Sequence, residues 1–172
     1  RIFDAQWTHP NWPADQRLDW YSAPIGGLNF NDNCLDWLPI VQGKAVSVTL
    51  IPNNSYVNIT VKATRGSGPV SLVRPAQSNH FELRGSVSKS ATDPYSVPIY
   101  DPGLWTGTVL HDVLASMSIQ GSGRVRRVEA SEHFLTGTLV ATHETPLLSV
   151  LARANKNSLN MMAECLCKRL GH

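Results

Sequence analysis

No run of apolar residues in this sequence approaches the ~20 that a membrane-spanning helix requires, and no charged-then-apolar signal sequence opens it. Cysteine is scarce: three residues cannot make a disulfide framework. Cys165 and Cys167 stand two apart on a predicted helix, about 200° around its axis, so they face away from each other and read as thiols rather than a metal pair. His9, His80, His111, His133, His143 and His172 are scattered, without His-Glu-x-x-His or any zinc spacing. There is no glycine-rich phosphate loop. No cofactor and no metal is therefore expected. Charge of one sign is also lacking, since 15 Lys and Arg against 13 Asp and Glu leave a net charge of +2. That excess is too small to imply a nucleic-acid or membrane-surface partner. The densest basic run, Arg124, Arg126 and Arg127, reads as the wet face of a strand rather than a phosphate site. An initiator Met is missing as well; the chain starts at Arg1, as a processed product or an excised segment would.

What is present is globular in character: 172 residues, 42% apolar and 16% charged, enough for one good-sized core or two small ones. Residues 1–44 are crowded with Trp7, Trp12, Trp20 and Trp37 and with Pro10, Pro13, Pro24 and Pro39, which predicts an extended, turn-rich path. The aromatics suit either a sugar-stacking platform or a core under a loop, and the second reading is favoured. From Ala45 the pattern has period two. Val46, Val48 and Leu50 alternate with polar residues, Pro52 to Ser55 makes a turn, and Val57, Ile59 and Val61 alternate again. That predicts a hairpin with Val57, Ile59 and Val61 facing one core, inside an antiparallel β module. A further turn at Arg65 to Pro69 separates this from short strands at Val70 to Arg74 and Phe81 to Val87.

Asp101-Pro102 is a helix start, an N-cap residue followed by proline in the first turn. Trp105, Val109, Leu110, Val113, Leu114 and Met117 form its apolar stripe, and Gly121 and Gly123 are expected to close it. Strand-like stretches follow at Arg124 to Ala130 and Thr138 to Thr142. Pro146 opens another helix that fades at Asn155 to Asn157, and a last one runs from about Leu159 to Leu170, ending at Gly171. The predicted class is α+β, in three parts: 1–44, 45–100 and 101–172.

One stretch carries chemistry: Asn155-Lys156-Asn157-Ser158-Leu159-Asn160-Met161-Met162-Ala163-Glu164. Its Ser-x-Asn tripeptide resembles the second motif of serine penicillin-recognising enzymes, which use Ser-x-x-Lys, Ser-x-Asn and Lys-Thr-Gly. The longer run Asn-Lys-x-Ser-x-Asn-x-x-Ala-Glu is similar to that of class C low-molecular-mass penicillin-binding proteins, the D-alanyl-D-alanine carboxypeptidase/endopeptidase family. His143 to Leu147 and the segment Tyr21 to Asn33 resemble other parts of that family in the expected order. The residue commonly Asp between Ser and Asn is Leu159 here, which keeps the two chemical residues and removes a carboxylate.

The resemblance implies an internal fragment: an antiparallel β-rich inserted module, then a helical part of a transpeptidase/β-lactamase-like domain, in a periplasmic or otherwise extracytoplasmic protein. It also implies a substrate, the peptidoglycan stem peptide ending in D-Ala-D-Ala, with β-lactams as acylating mimics. Ser158 would relay a proton to the leaving nitrogen, because a hydroxyl donates and accepts at once. Asn160 would donate to the substrate backbone and accept from a catalytic lysine. Both are expected in the connection between two helices, opening onto a shared groove. Two other stretches imitate the remaining motifs. Ser86-Val87-Ser88-Lys89 follows a strand-like run, where serine and lysine point to opposite faces instead of meeting over one helical turn. Leu135-Thr136-Gly137 lacks the cation and precedes Ser-x-Asn. Without a usable nucleophile the chain alone is expected to be inactive. The competing reading is a non-catalytic peptidoglycan-binding or scaffold module.

Overall fold

The computed structural model describes residues 3–4, 6–121, 123–128 and 138–171. Seven strands, β1 (Cys34–Gln42), β2 (Ala45–Ile51), β3 (Asn58–Val61), β4 (Thr64–Arg65), β5 (Val70–Val73), β6 (His80–Val87) and β7 (Tyr95–Pro98), precede three helices. The helices are α1 (Pro102–Ser116), α2 (Leu147–Lys156) and α3 (Asn160–Leu170). The class is α+β, as the patterning predicts. The strand pairing differs from expectation.

β2 pairs not with β3 but with β1, antiparallel, from Asp36 opposite Ile51 to Gln42 opposite Ala45. The two turn residues between them start with Gly43 at φ +60°, a conformation glycine adopts without strain. β1 lies in the Trp- and Pro-rich region, and Pro39 obscures it in the sequence. The structure accommodates that proline because its carbonyl accepts from Ala91 N–H, so its missing N–H would also point away from β2. On that side the pairing with β7 covers only Cys34 to Trp37, and Pro39 sits beyond it. The first sheet is therefore β2–β1–β7, antiparallel throughout.

In the second sheet β6 is the common partner, parallel to β3 and β4 and antiparallel to β5. The expected turn at Pro52 to Ser55 does turn the chain, since Asn54 Oδ1 accepts from the backbone N–H of both Tyr56 and Val57. It delivers β3 to the second sheet instead of back onto β2. The facing of the residues is as expected: Val57 is buried, Ile59 and Val61 pack on the core, and Asn58 and Thr60 are exposed.

One core holds both sheets and α1 together, with Leu35, Trp37, Phe81, Leu83, Ile99 and Trp105 among its buried members. Each such side chain contributes roughly 1.5–3 kcal/mol by leaving water. Trp105 also donates its indole N–H to Phe30 carbonyl at 3.2 Å. The apolar stripe of α1 is only half used: Trp105 and Val109 are buried, whereas Leu110, Val113 and Met117 are exposed. The helix stops before the expected glycines. Ser118 takes φ +63°, its N–H bonds Ala115 carbonyl, and Ile119 N–H bonds Leu114 carbonyl, a left-handed cap built on serine.

Residues 124–128 and 138–142 form no strand; residues 129–137, including the Leu135-Thr136-Gly137 imitation, lie outside the described residues. Arg127 turns inward instead of lying on a solvated face. Its guanidinium grips Asp101 through Nε at 2.7 Å and through Nη2. It also lies over the Trp7 ring at 4.2 Å. The basic run is thus not simply a wet face.

Candidate functional site

Ser158 sits between two helices. α2 ends at Lys156, Asn157 caps it, and Ser158 adopts φ +51°, reversing the chain before Leu159 returns to an extended conformation as the N-cap of α3. No side chain caps α3, so Ser158 is not spent on that role. Its hydroxyl is exposed and has no hydrogen-bond partner among the described residues. Leu159 points the other way, 5% exposed, into a small apolar cluster with Ile25 and Met161. Asn160, the first residue of α3, is half-buried and donates through Nδ2 to the Tyr21 carbonyl at 3.0 Å.

Three further contacts fasten this helix pair to the N-terminal segment. Arg153 pairs with Asp32 at 2.7 Å, Lys168 pairs with Asp4 at 2.7 Å, and Lys168 also donates to Gln6 carbonyl at 2.9 Å. The lysine's hydrogen bond holds the Asp4 carboxyl below its ordinary pKa. The segment itself is rigidified by asparagines. Asn33, fully buried, donates to Pro24 carbonyl at 2.8 Å and to Asn29 Oδ1, while its own Oδ1 accepts from Phe30 N–H. Asn31, Asp32 and Asn33 are all left-handed, at φ +50°, +52° and +53°. Asn and Asp tolerate that region best among residues with a side chain. Sequence reading singled out Tyr21 to Asn33 but not this job; the run Asn29-Phe30-Asn31-Asp32-Asn33 was the available signal.

Asn160 lines a cavity of about 210 Å³ together with Trp7, Trp12, Tyr21, Glu164 and Lys168. Ser158 is not among its lining residues. Ser158 and Asn160 stand on either side of the buried Leu159, and the cavity lined by Asn160 is not the shared groove expected from sequence. The Trp-rich segment divides its roles: Trp37 is in the core, Trp7 and Trp12 wall cavities, and Trp20 is 44% exposed. Ser86 lies on β6 with its side chain against Gly66 and Gly68, in no helical relation to Lys89.

The thiols separate as the helical spacing requires. Cys165 packs against the Leu159 cluster and Cys167 is exposed. Burial pushes Cys34 up to about 12 and Cys165 up to about 11, which leaves neither as a thiolate at neutral pH. No described helix is long and apolar enough to cross a membrane.

No curated protein matches this chain significantly. Among solved structures it is similar to penicillin binding protein 4 (dacB) from Haemophilus influenzae, with a TM-score of 0.73 at 16% identity, over 97% of this chain and 38% of that one. A second structure of the Haemophilus influenzae protein, complexed with a novel β-lactam, aligns with a TM-score of 0.62 at 18% identity, over 85% of this chain and 35% of that one. At such identities the likeness establishes the fold, and the chain spans little more than a third of either neighbour's length. The sequence model of the D-Ala-D-Ala carboxypeptidase 3 (S13) family matches residues 1–172, and the chain belongs to that family.

Proposed function

We propose that this chain is part of a serine-type D-Ala-D-Ala carboxypeptidase/endopeptidase acting on peptidoglycan stem peptides outside the cytoplasm, and that it supplies the Ser-x-Asn element through Ser158 and Asn160. In this reading residues 1–44 lead into an inserted module, 45–100 are the β-rich core of that module, and 101–172 belong to a transpeptidase-like domain. The observation that carries it is the exposed Ser158 hydroxyl, held in a left-handed turn between two helices with no partner among the described residues. Such a hydroxyl is free to accept a proton from one group and pass it to a departing amine. Acyl transfer further needs a serine nucleophile and a base beside it, which the parent protein must bring from elsewhere.

The test is penicillin labelling. Full-length protein is expected to form a covalent adduct with fluorescent penicillin, and Ser158→Ala is expected to slow acyl transfer by roughly 10²–10⁴-fold, the usual scale of a lost proton-transfer group. The 172-residue chain alone is expected to form none. A stable adduct on this chain by itself, on Ser86 above all, would place the active site elsewhere. The second reading, a non-catalytic wall-binding module, draws support from Trp7 and Trp12 walling two adjoining cavities. It takes over if the full-length protein binds peptidoglycan yet never acylates.

A further inference from the structure

A second cavity, about 490 Å³, adjoins the first across a shared wall that includes Trp7 and Trp12. Its far side is the turn that follows β5 at Arg74 to Gln77, and Ile99 and Tyr100 also border it. Trp7 stands edge-to-face with Tyr100 at 5.3 Å and beneath Arg127, so this wall is fixed rather than a loose flap.

Among the described residues two cations line the cavity, Arg17 and Arg74, against one carboxylate, Asp15. Neither arginine forms an ion pair with any described carboxylate. Arg74 is held in place by Pro98 carbonyl at 2.5 Å, by Arg17 carbonyl at 3.4 Å and by the Phe81 ring at 5.1 Å. A guanidinium carries five N–H donors; two are used by those carbonyls, and the remaining three have no described acceptor. Of these, the Nε–H is not sealed from the cavity or solvent, because among the described residues no buried side-chain nitrogen lacks a partner. Burial lowers the Arg74 pKa to about 10, with no carboxylate among the described residues paired to it to offset that cost. A half-buried arginine is ordinarily compensated by an anion. Among the described residues that compensation is missing, the fork is pre-oriented by its two carbonyl partners, and Trp7 and Trp12 line the same cavity.

We propose that this cavity binds the carboxylate of an acidic peptide, with the Arg74 fork and Arg17 taking the carboxylate and the Trp7–Trp12 wall covering the peptide's apolar face. The cavity shares Trp7, Thr8, His9, Pro10 and Trp12 with the one lined by Asn160, so one bound chain can run over both. That the acidic peptide is a peptidoglycan stem rests on the function proposed above; the preference for a carboxylate does not.

The experiment titrates N-acetyl-L-alanyl-D-glutamic acid, and separately its fully amidated counterpart, into full-length protein, read by calorimetry and by tryptophan fluorescence. The acid is expected to bind and the amide to bind roughly ten- to a hundredfold more weakly, the scale of a lost charge-assisted hydrogen bond. Arg17→Gln and Arg74→Gln are each expected to weaken the acid by about tenfold or more and leave the amide unchanged. Arg17 has no side-chain partner among the described residues, so its variant keeps the test sound if Arg74→Gln disturbs the Pro98 contact. Acid and amide binding alike, or acid binding indifferent to Arg17→Gln and Arg74→Gln, overturns the proposal, as does no binding of the acid at all. Penicillin labelling of the same preparations reads the catalytic proposal independently, so the two can fail separately.

Discussion

Removing the Asp101 carboxylate is expected to destabilise the protein by about 3 kcal/mol, an amount built from three separate losses. Asp101 is 5% exposed and caps α1, accepting from Leu104 N–H at 3.0 Å. Loss of a helix cap costs about 1 kcal/mol. It also receives two bonds from Arg127, whose side chain is 42% exposed and so keeps part of its water when the partner goes. That places the pair between the ~0–1 kcal/mol of a surface bridge and the ~3–5 of a buried one, at about 1–2. Finally, Asp101 holds φ +64°, where alanine pays about 1 kcal/mol of steric strain. Asp101→Asn keeps the cap and tolerates the backbone, so only the charge is lost, and about 1–1.5 kcal/mol is expected. Asp101→Ala should cost about twice that or more. Guanidinium denaturation of the full-length protein measures both, with Arg127→Ala and the double variant closing the cycle. If Asp101→Ala and Asp101→Asn fall within experimental error of each other, or the cycle shows no coupling, the decomposition is wrong.

Two further outcomes follow from local geometry. Gly85 has φ +92°, and a β-carbon there would sit 2.0 Å from Pro69 carbonyl oxygen; Gly85→Ala is expected to cost more than about 2 kcal/mol, seen as lost soluble yield or a lowered denaturation midpoint, and a wild-type midpoint would refute it. For the cysteines, maleimide at pH 8 is expected to label exposed Cys167 first and to spare Cys34 until unfolding, because burial raises the Cys34 pKa from 9.0 to about 12. The neutral thiol is what the fold favours, so this contribution to stability is whole below about pH 9 and lost as pH climbs toward 12; Cys34→Ser should flatten that part of the pH profile, and an unchanged profile would count against it.

The helices and the inward-facing residues were legible because they rest on local periodicity. Asp101-Pro102 marks a start that the structure keeps, and Val57, Ile59 and Val61 face the core whichever strand lies beside them. Pairing was not legible, since alternation tells which face is buried and not which neighbour is hydrogen-bonded. Hence alternation alone pairs β3 with β2, whereas β3 runs parallel to β6, and Pro39, whose tolerance depends on where β7 stops pairing, hides β1. The ends of α1 divide the same way. The sequence offered Gly121 and Gly123 as stops, but a serine in the left-handed region closed the helix earlier. Arg127 shows the limit most plainly, because its partners Asp101 and Trp7 are distant in sequence and no spacing rule connects them.

The candidate site has the same structure of knowledge, with Leu159 as its hinge. Ser-x-Asn names two polar side chains, and the residue between them looks incidental in the sequence. In the fold it is the anchor: Leu159 is 5% exposed in the cluster with Ile25 and Met161, and the turn is built around that burial. Full burial of a leucine is worth about 1.5–3 kcal/mol, enough to hold a short connection in one conformation against its own flexibility. A carboxylate at this position would have to leave water for an apolar cluster, at a cost that only a hydrogen-bonded partner can offset. The apolar residue at 159 is matched by Ile25, which the Asn33–Pro24 and Asn29–Gly26 hydrogen bonds hold in place far earlier in the chain. Packing supports the turn by tying it to the N-terminal segment. That same tie sends Asn160 to the Tyr21 carbonyl and leaves Ser158 facing outward. The orientation of both polar residues is a consequence of the apolar one between them.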